Sequence, residues 1–335
     1  MDDNSDKRPT LRSLAEITGL GISTVSQALR DSPEIALETR KRVRLAAQQA
    51  GYRPNRAGVR LRTGKSNVIA LVLNPQDGGS GFFSNIIYGI SDALSGTAYH
   101  LVVTPYSLSD PMEPVRYIVE TNSADGVIIS RTQQIDQRVS YLAENGIHFA
   151  THGRTDMNID HAYYDYDNET FAYDALRSLK AKGRNNVALM SPPPSLNYYL
   201  HTIKGFNRGL VDFGMNGFLV GATSSDSHDE ELMAAGFEMA QRKIQPDGII
   251  CASASMALAV NAGLNKGGLT LGKDFDMVVK SVNPLVHLLL PDIIGIEEDY
   301  RKAGFELGKM IMARIAGANA IDLQILEKPQ AVEKD

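Results

Sequence analysis

Within six residues the chain places Ile22, Ser23, Thr24, Ser26 and Gln27, three hydroxyls, one carboxamide and one branched apolar side chain. Such groups donate to and accept from base edges when they stand at the start of a helix seated in a DNA major groove. The elements able to hold them there span residues 11 to 30, LRSLAEITGLGISTVSQALR, which read as two short helices around a turn. In the first, Leu14 and Ile17 share the expected packing face, Ala15 leaves room for a close crossing, and Thr10 offers an N-cap hydroxyl to the first free amides. Gly19 lies where the chain reverses, and a three-residue turn between helices usually needs one residue with positive φ. Val25, Ala28 and Leu29 are expected to pack the second helix onto the first and so turn the polar set outward.

Charge agrees with a DNA-facing end. Residues 7 to 65 hold 13 Lys or Arg against 4 acidic residues, whereas the whole chain carries a net charge of -5. Such asymmetry assigns the polyanion-binding role to one end only. A third helix is expected over Leu37–Ala50, with Ala36, Val43, Ala47 and Ala50 on its seam, Arg40, Lys41, Arg42 and Arg44 mostly around it, and Gly51 ending it. In the following segment Pro54 breaks the pattern, Asn55 can cap, and Arg56 to Arg62 can form about two turns. A helix that short is marginal in water, and Gly58 weakens it further, so it is expected to be conditional.

From Thr10 to Lys65 the chain resembles the headpiece of the LacI/GalR (lactose repressor) family of bacterial transcription regulators: TLRSLAEITGLGISTVSQAL, ETRKRVRLAAQQAGYRPN and RLRTGKS follow the family's order and spacing. The resemblance implies that Ile22, Ser23 and Gln27 read bases, that Thr24, Ser26 and Asn55 touch phosphates with Thr10 and Arg56 beside them, and that Leu61 wedges into the minor groove. Gly21, Ala36 and Gly58 depart from the family's usual residues and imply a looser free headpiece.

The remaining 270 residues alternate apolar runs with amphipathic stretches. VIALVL (68–73), HLVVTP (100–105), DGVIIS (125–130), HFATHG (148–153), NVALMS (186–191), FLVGAT (218–223), DGIICA (247–252), DMVVKS (276–281) and IIGIEE (293–298) read as buried parallel strands of an α/β fold. The resemblance continues here as an effector domain similar to type I periplasmic sugar-binding proteins, with two doubly wound parallel-sheet lobes. The expected division is a headpiece at 1–54, a hinge at 55–66, and an effector and dimerisation domain at 67–335. Crossovers near Tyr164, Pro291 and Gly317 would give one lobe of 67–163 plus 295–317 and another of 164–291 plus 318–335.

Open α/β sheets bind ligands at the carboxyl ends of their strands, so an effector cleft is expected between the lobes. Candidate contacts are Phe82 and Phe83 after the first strand, Ser130 and Arg131 after the third, and His152 and Arg154 after the fourth. Asp167, Asn168, Tyr198, His201, Ser253, Glu298 and Tyr300 hold comparable places. Aromatic platforms with two-way hydrogen-bonding groups suit a sugar or sugar derivative. Arg131, Arg154 and Lys280 keep an acidic or phosphorylated metabolite or a nucleobase corepressor open as the alternative. Thr202, Ser253-Ala254 and Lys280-Ser281-Val282 replace the family's usual Arg, Asn-Asp and GFD-like elements, which places the usual monosaccharide geometry in doubt.

Other chemistries find little support. The Gly19–Ser23 run follows a helix rather than a strand, unlike a dinucleotide loop. Cys251 is the only cysteine, which excludes an internal disulfide or a Cys-rich zinc site. His148 and His152 fall on a strand, about 13 Å apart, and the histidines form no metal or catalytic set. No cofactor and no catalysis are expected. No apolar run reaches membrane-spanning length, and the amino terminus is polar, so a cytoplasmic protein is expected. The resemblance implies a repressor acting as a homodimer on a near-palindromic double-stranded operator; a sugar-binding receptor without a DNA role is the remaining alternative.

Overall fold

A computed structural model describes residues 9–52, 60, 64–74, 81–107, 109–281 and 285–331. The chain divides into two compact units, Met1–Ser66 and Asn67–Asp335. The expected hinge residues Asn55, Arg56, Gly58 and Leu61 lie outside the described residues.

The first unit holds helices α1 (Leu11–Thr18), α2 (Ile22–Ala28) and α3 (Leu37–Gln49). Leu14, Ala15, Val25, Ala28, Val43, Ala46 and Ala47 form its core, with Leu11, Leu20, Leu29, Ile35, Ala50 and Tyr52 around it. Thr10 caps α1: its hydroxyl accepts from the Ser13 amide at 3.2 Å while the Ser13 hydroxyl accepts from the Thr10 amide at 2.7 Å. Gly19 takes φ 66° at the turn. Gly21 and Ala36 precede α2 and α3 without a side-chain cap. Two expectations are corrected. Ile17 is 60% exposed, because Ala15 rather than Ile17 completes the packing face with Leu14, and Ala36 is exposed while Ala46 takes its place on the α3 seam.

The second unit contains two six-stranded sheets. The first comprises β1 (Val68–Leu73), β2 (His100–Pro105), β3 (Gly126–Ser130), β4 (Phe149–His152), β5 (Ala162–Tyr166) and β11 (Gln324–Glu327), in the order β11-β5-β4-β3-β1-β2. The second comprises β6 (Asn186–Met190), β7 (Asn216–Leu219), β8 (Gly248–Cys251), β9 (Asp276–Ser281), β10 (Ile294–Glu297) and β12 (Gln330–Ala331), in the order β12-β10-β9-β8-β6-β7. All pairs are parallel except β10 with β12. The first five strands of each lobe thus repeat one doubly wound order, 2-1-3-4-5, covered by helices on both faces. Central strands such as β1 and β3 are almost wholly buried, whereas edge strand β2 is mostly exposed. Strand β7 ends at Leu219, short of the expected run to 223, and Ala222 takes φ 65° in the turn that follows.

Three helix pairs cross at distances that only glycine permits. A Cβ on Gly89 would lie 2.0 Å from the Arg301 carbonyl oxygen, one on Gly205 2.0 Å from that of Glu169, and one on Gly263 2.0 Å from that of Met233. The first contact is important for topology, because it seats helix Tyr300–Ile315 against helix Phe82–Leu94 in the first lobe.

The expected lobe boundaries are displaced by the strands on which they fall. Tyr164 lies inside β5, so the first crossover comes after Tyr166. Strand β10, including Gly295, pairs with β9 in the second lobe, and the chain returns to the first only after Glu297. Gly317 ends a helix within the first lobe; β11 follows in that lobe, and the third crossover falls between Glu327 and Gln330.

Candidate functional site

In the first unit, Gly19 sets the α1–α2 turn and the buried Val25 and Ala28 fix the rotation of α2. Ile22, 48% exposed, and Ser23 therefore reach solvent at its start, with Thr24, Ser26 and Gln27 half-buried beside them. Thr10 is exposed, but its hydroxyl is engaged in the α1 cap. Arg12, Arg30, Lys41, Arg42 and Arg44 are exposed, Arg44 being paired with Asp31. The arrangement is a helix start with hydrogen-bonding side chains on a cationic module, suited to a nucleic acid polyanion.

In the second unit, an open cleft lies at the carboxyl ends of strands from both lobes. Of the expected contacts, Phe82, Arg131, His152, Asn168, Tyr198, Ser253, Glu298 and Tyr300 line it. Five do not. Phe83 packs toward the first-lobe core, and Ser130 is buried one residue short of the opening. Asp167 caps helix Asn168–Ala181 by accepting from the Thr170 amide at 2.9 Å and from its hydroxyl at 2.6 Å. Arg154 and His201 do not line it; Arg154 Nη2 lies 3.4 Å from His201 Nδ1.

One wall is aromatic. Phe82 meets Tyr300 edge-on at 4.7 Å between ring centroids and His152 at 5.5 Å, and Tyr166 stands 6.3 Å from Tyr300. An ionic group adjoins it. Lys280 Nζ pairs with Glu298 Oε1 at 2.8 Å and donates to Asn168 Oδ1, while the Tyr300 hydroxyl donates to Glu298 Oε2 at 2.7 Å. Lys280 also lies 5.3 Å from the Tyr198 ring centroid. Burial, aided by the Lys280 charge, lowers the His152 pKa to about 4, so the imidazole is neutral. Burial raises the Asp165 carboxyl to about 7, outweighing the Arg154 Nε 3.4 Å away. Burial also drives the Tyr300 phenol upward, so it stays a donor.

The lobes are joined across the cleft. Arg131 holds both carboxylate oxygens of Asp226, with Nη1 3.0 Å from Oδ1. The Asn197 amide donates to the Thr132 carbonyl at 2.9 Å, and Asn197 Nδ2 to the Arg154 carbonyl at 2.9 Å. Sequence reasoning did not place Thr132, Tyr166, Ser225, Asp226 or Ser255 in this cleft, and considered Lys280 only as a cation for an acidic ligand. Thr132 and Tyr166 sit at strand ends and share the signal that located their neighbours. Asp226 lies in a loop that carries none.

Residues 10–55 match the model of bacterial regulatory proteins of the lacI family, and residues 66–325 match that of periplasmic binding proteins and the sugar binding domain of the LacI family. The chain belongs to the LacI family. This LacI-family protein is 30% identical over 316 residues to the HTH-type transcriptional regulator AglR of Rhizobium meliloti (strain 1021), covering 91% of this chain and 87% of that protein. It is 29% identical over 328 residues to RafR of Escherichia coli, covering 96% of each. Its fold matches the lac repressor dimer bound to operator and the anti-inducer ONPF, with a TM-score of 0.84 over 98% of both chains at 19% identity. It also matches a transcriptional regulator CelR–cellobiose complex, with a TM-score of 0.71 over 97% of this chain and 99% of that one at 22% identity. The LacI-family chain is accordingly a DNA-binding transcriptional regulator and not an enzyme. Among the described residues, no helix is long and apolar enough to cross a membrane.

Proposed function

We propose that this regulator is a cytoplasmic repressor that binds a near-palindromic operator as a homodimer and adjusts its affinity to an uncharged, polyhydroxylated ligand, a sugar or sugar derivative, in the interlobe cleft. The observation that carries the ligand class is the pairing of the cations. Of the cations that line the cleft, Arg131 faces Asp226 and Lys280 faces Glu298. Each already has a carboxylate beside it, which favours a neutral ligand over a phosphorylated corepressor. The aromatic wall beside polar groups suits a sugar ring, and one structural relative is a complex with cellobiose.

On the DNA side, Ile22, Ser23 and Gln27 are the proposed base readers. Replacing Ser23 or Gln27 by Ala is expected to relax preference at one operator position by about 1–3 kcal/mol. Gel shifts on the chain's own upstream region, titrated with neutral sugars and with sugar phosphates, test the whole reading. A neutral sugar is expected to change operator affinity by about 5- to 150-fold. A response to sugar phosphates alone would overturn the ligand class, and failure to bind any upstream fragment over random DNA would overturn the operator reading.

A further inference from the structure

Among the described residues, three acidic side chains line the interlobe cleft, and two of them are already engaged. Arg131 holds both oxygens of Asp226, while Glu298 has Lys280 Nζ at 2.8 Å and the Tyr300 hydroxyl at 2.7 Å. The third, Asp165 at the end of β5, receives no side-chain hydrogen bond within the hydrogen-bonding distance and angle that those two enjoy. Arg154 alone approaches it, with Nε 3.4 Å from Oδ2 and its backbone amide turned to the same carboxyl. The Asp165 side chain is only 7% exposed. Burial raises its pKa to about 7, with Arg154 and Lys280 acting against the rise and Glu298 with it. Around it, burial lowers His152 to about 4 and lowers His201 as well, and it raises the Tyr166 and Tyr300 phenols. Near neutral pH, Asp165 therefore changes charge while His152 and these two phenols do not.

A carboxylic acid donates one hydrogen bond, whereas a carboxylate accepts several and can take two neighbouring O–H groups at once. A hydroxylated ligand brings the donors that Asp165 lacks, and donors to a carboxylate favour its charged form. The cations that balance the resulting charge, Arg154 and Lys280, are already in place. We infer that Asp165 is the specificity-determining acceptor of the cleft: its carboxylate takes two neighbouring hydroxyls of the effector, and its proton passes to solvent as the effector binds. The inference rests on the reading that the cleft takes a neutral polyhydroxylated ligand.

Calorimetric titration of the full chain with glucose, galactose, maltose, maltotriose, cellobiose, melibiose and raffinose tests it. Titrations at pH 7 in phosphate and in MOPS, buffers with different heats of ionisation, count the protons exchanged. For the tightest sugar, release of about half a proton is expected at pH 7, and affinity should fall about tenfold from pH 8 to pH 6. Asp165→Asn should bind about tenfold or more weakly, with no proton release and no such pH dependence, whereas Asp226→Asn should keep both. The wild-type proton count decides the matter even if Asp165→Asn fails to fold. A sugar bound without proton release, or release that persists in Asp165→Asn, would overturn the role of Asp165 and leave the sugar reading standing. Binding of no sugar at any of these pH values would overturn both.

Discussion

Replacing Lys280 by Met removes the cation at the centre of the cleft floor. Its Nζ lies 2.8 Å from Glu298, the two side chains are 7% and 4% exposed, and Lys280 donates as well to Asn168. After the change, Glu298 keeps the Tyr300 hydroxyl at 2.7 Å, one neutral donor against a full buried charge. Breaking a buried pair from one side costs about 3–5 kcal/mol, a large part of the ~5–15 kcal/mol that holds a domain together. Removing both charges, as in Lys280→Met with Glu298→Gln, leaves no ion to desolvate and should recover at least about 2 kcal/mol of that loss. The chain has 13 tyrosines and no tryptophan, so urea unfolding is best followed by tyrosine fluorescence and circular dichroism. A single variant within about 1 kcal/mol of wild type, or a double variant no more stable than the single, would refute the assignment of this pair as a buried, mutually dependent unit.

Gly205→Ala should destabilise the effector domain by about 1–3 kcal/mol or more, although alanine is the better helix former by up to about 1 kcal/mol, because the new Cβ would meet the Glu169 carbonyl at 2.0 Å. Gly221→Ala, with open space around the site, is the control, and urea midpoints equal for the two variants would count against the crossing argument. A pH series separates the two perturbed groups in the cleft. His152, lowered from 6.5 to about 4, is neutral when folded and takes up a proton when unfolded, so its contribution of about 3 kcal/mol is lost as pH falls from about 6.5 to about 4. Asp165, raised from 3.8 to about 7, holds its proton better when folded, so about 4 kcal/mol is lost as pH rises over nearly the same window. The slopes oppose one another in the wild type; Asp165→Asn should unmask a loss of stability on acidification from pH 6.5 to 4.5, and the same pH profile in variant and parent would contradict it.

The parts legible in the sequence are those governed by local rules. Buried parallel strands announce themselves as unbroken apolar runs, so β1, β3, β6 and β8 fall within VIALVL, DGVIIS, NVALMS and DGIICA, one or two residues shorter in the last three. Strand β5, AYYDY, escapes that rule because Asp165 and three tyrosines interrupt the apolar signal, and missing it moved the first crossover into the middle of a strand. The cleft residues at strand ends follow from topology, as Arg131, His152 and Glu298 illustrate. Pairings between distant loops do not. Asp226 meets Arg131 across 95 residues, and neither neighbourhood carries a pattern that names the other. Arg154 and His201 have suitable chemistry and position, but their side chains meet each other and neither lines the cleft.

The two sets of interlobe contacts differ in a way that determines which can yield. At the crossovers, Lys280 ties together Asn168, just after β5, and Glu298, just after β10, through a pair almost sealed from solvent. Across the opening, Arg131 and Asp226 retain 14% and 29% of their side-chain exposure, and Asn197 adds ordinary hydrogen bonds to Thr132 and Arg154. A partly hydrated ion pair is worth about 1 kcal/mol and each such hydrogen bond about the same. Opening on that side therefore costs a few kcal/mol, within reach of a ligand's differential affinity for two states, whereas separating Lys280 from Glu298 costs more than one small ligand usually supplies. Motion of the lobes should thus pivot about the buried lysine and break at the arginine, and a ligand that bridges the aromatic wall to the second lobe shifts that balance by replacing the contacts that opening would lose.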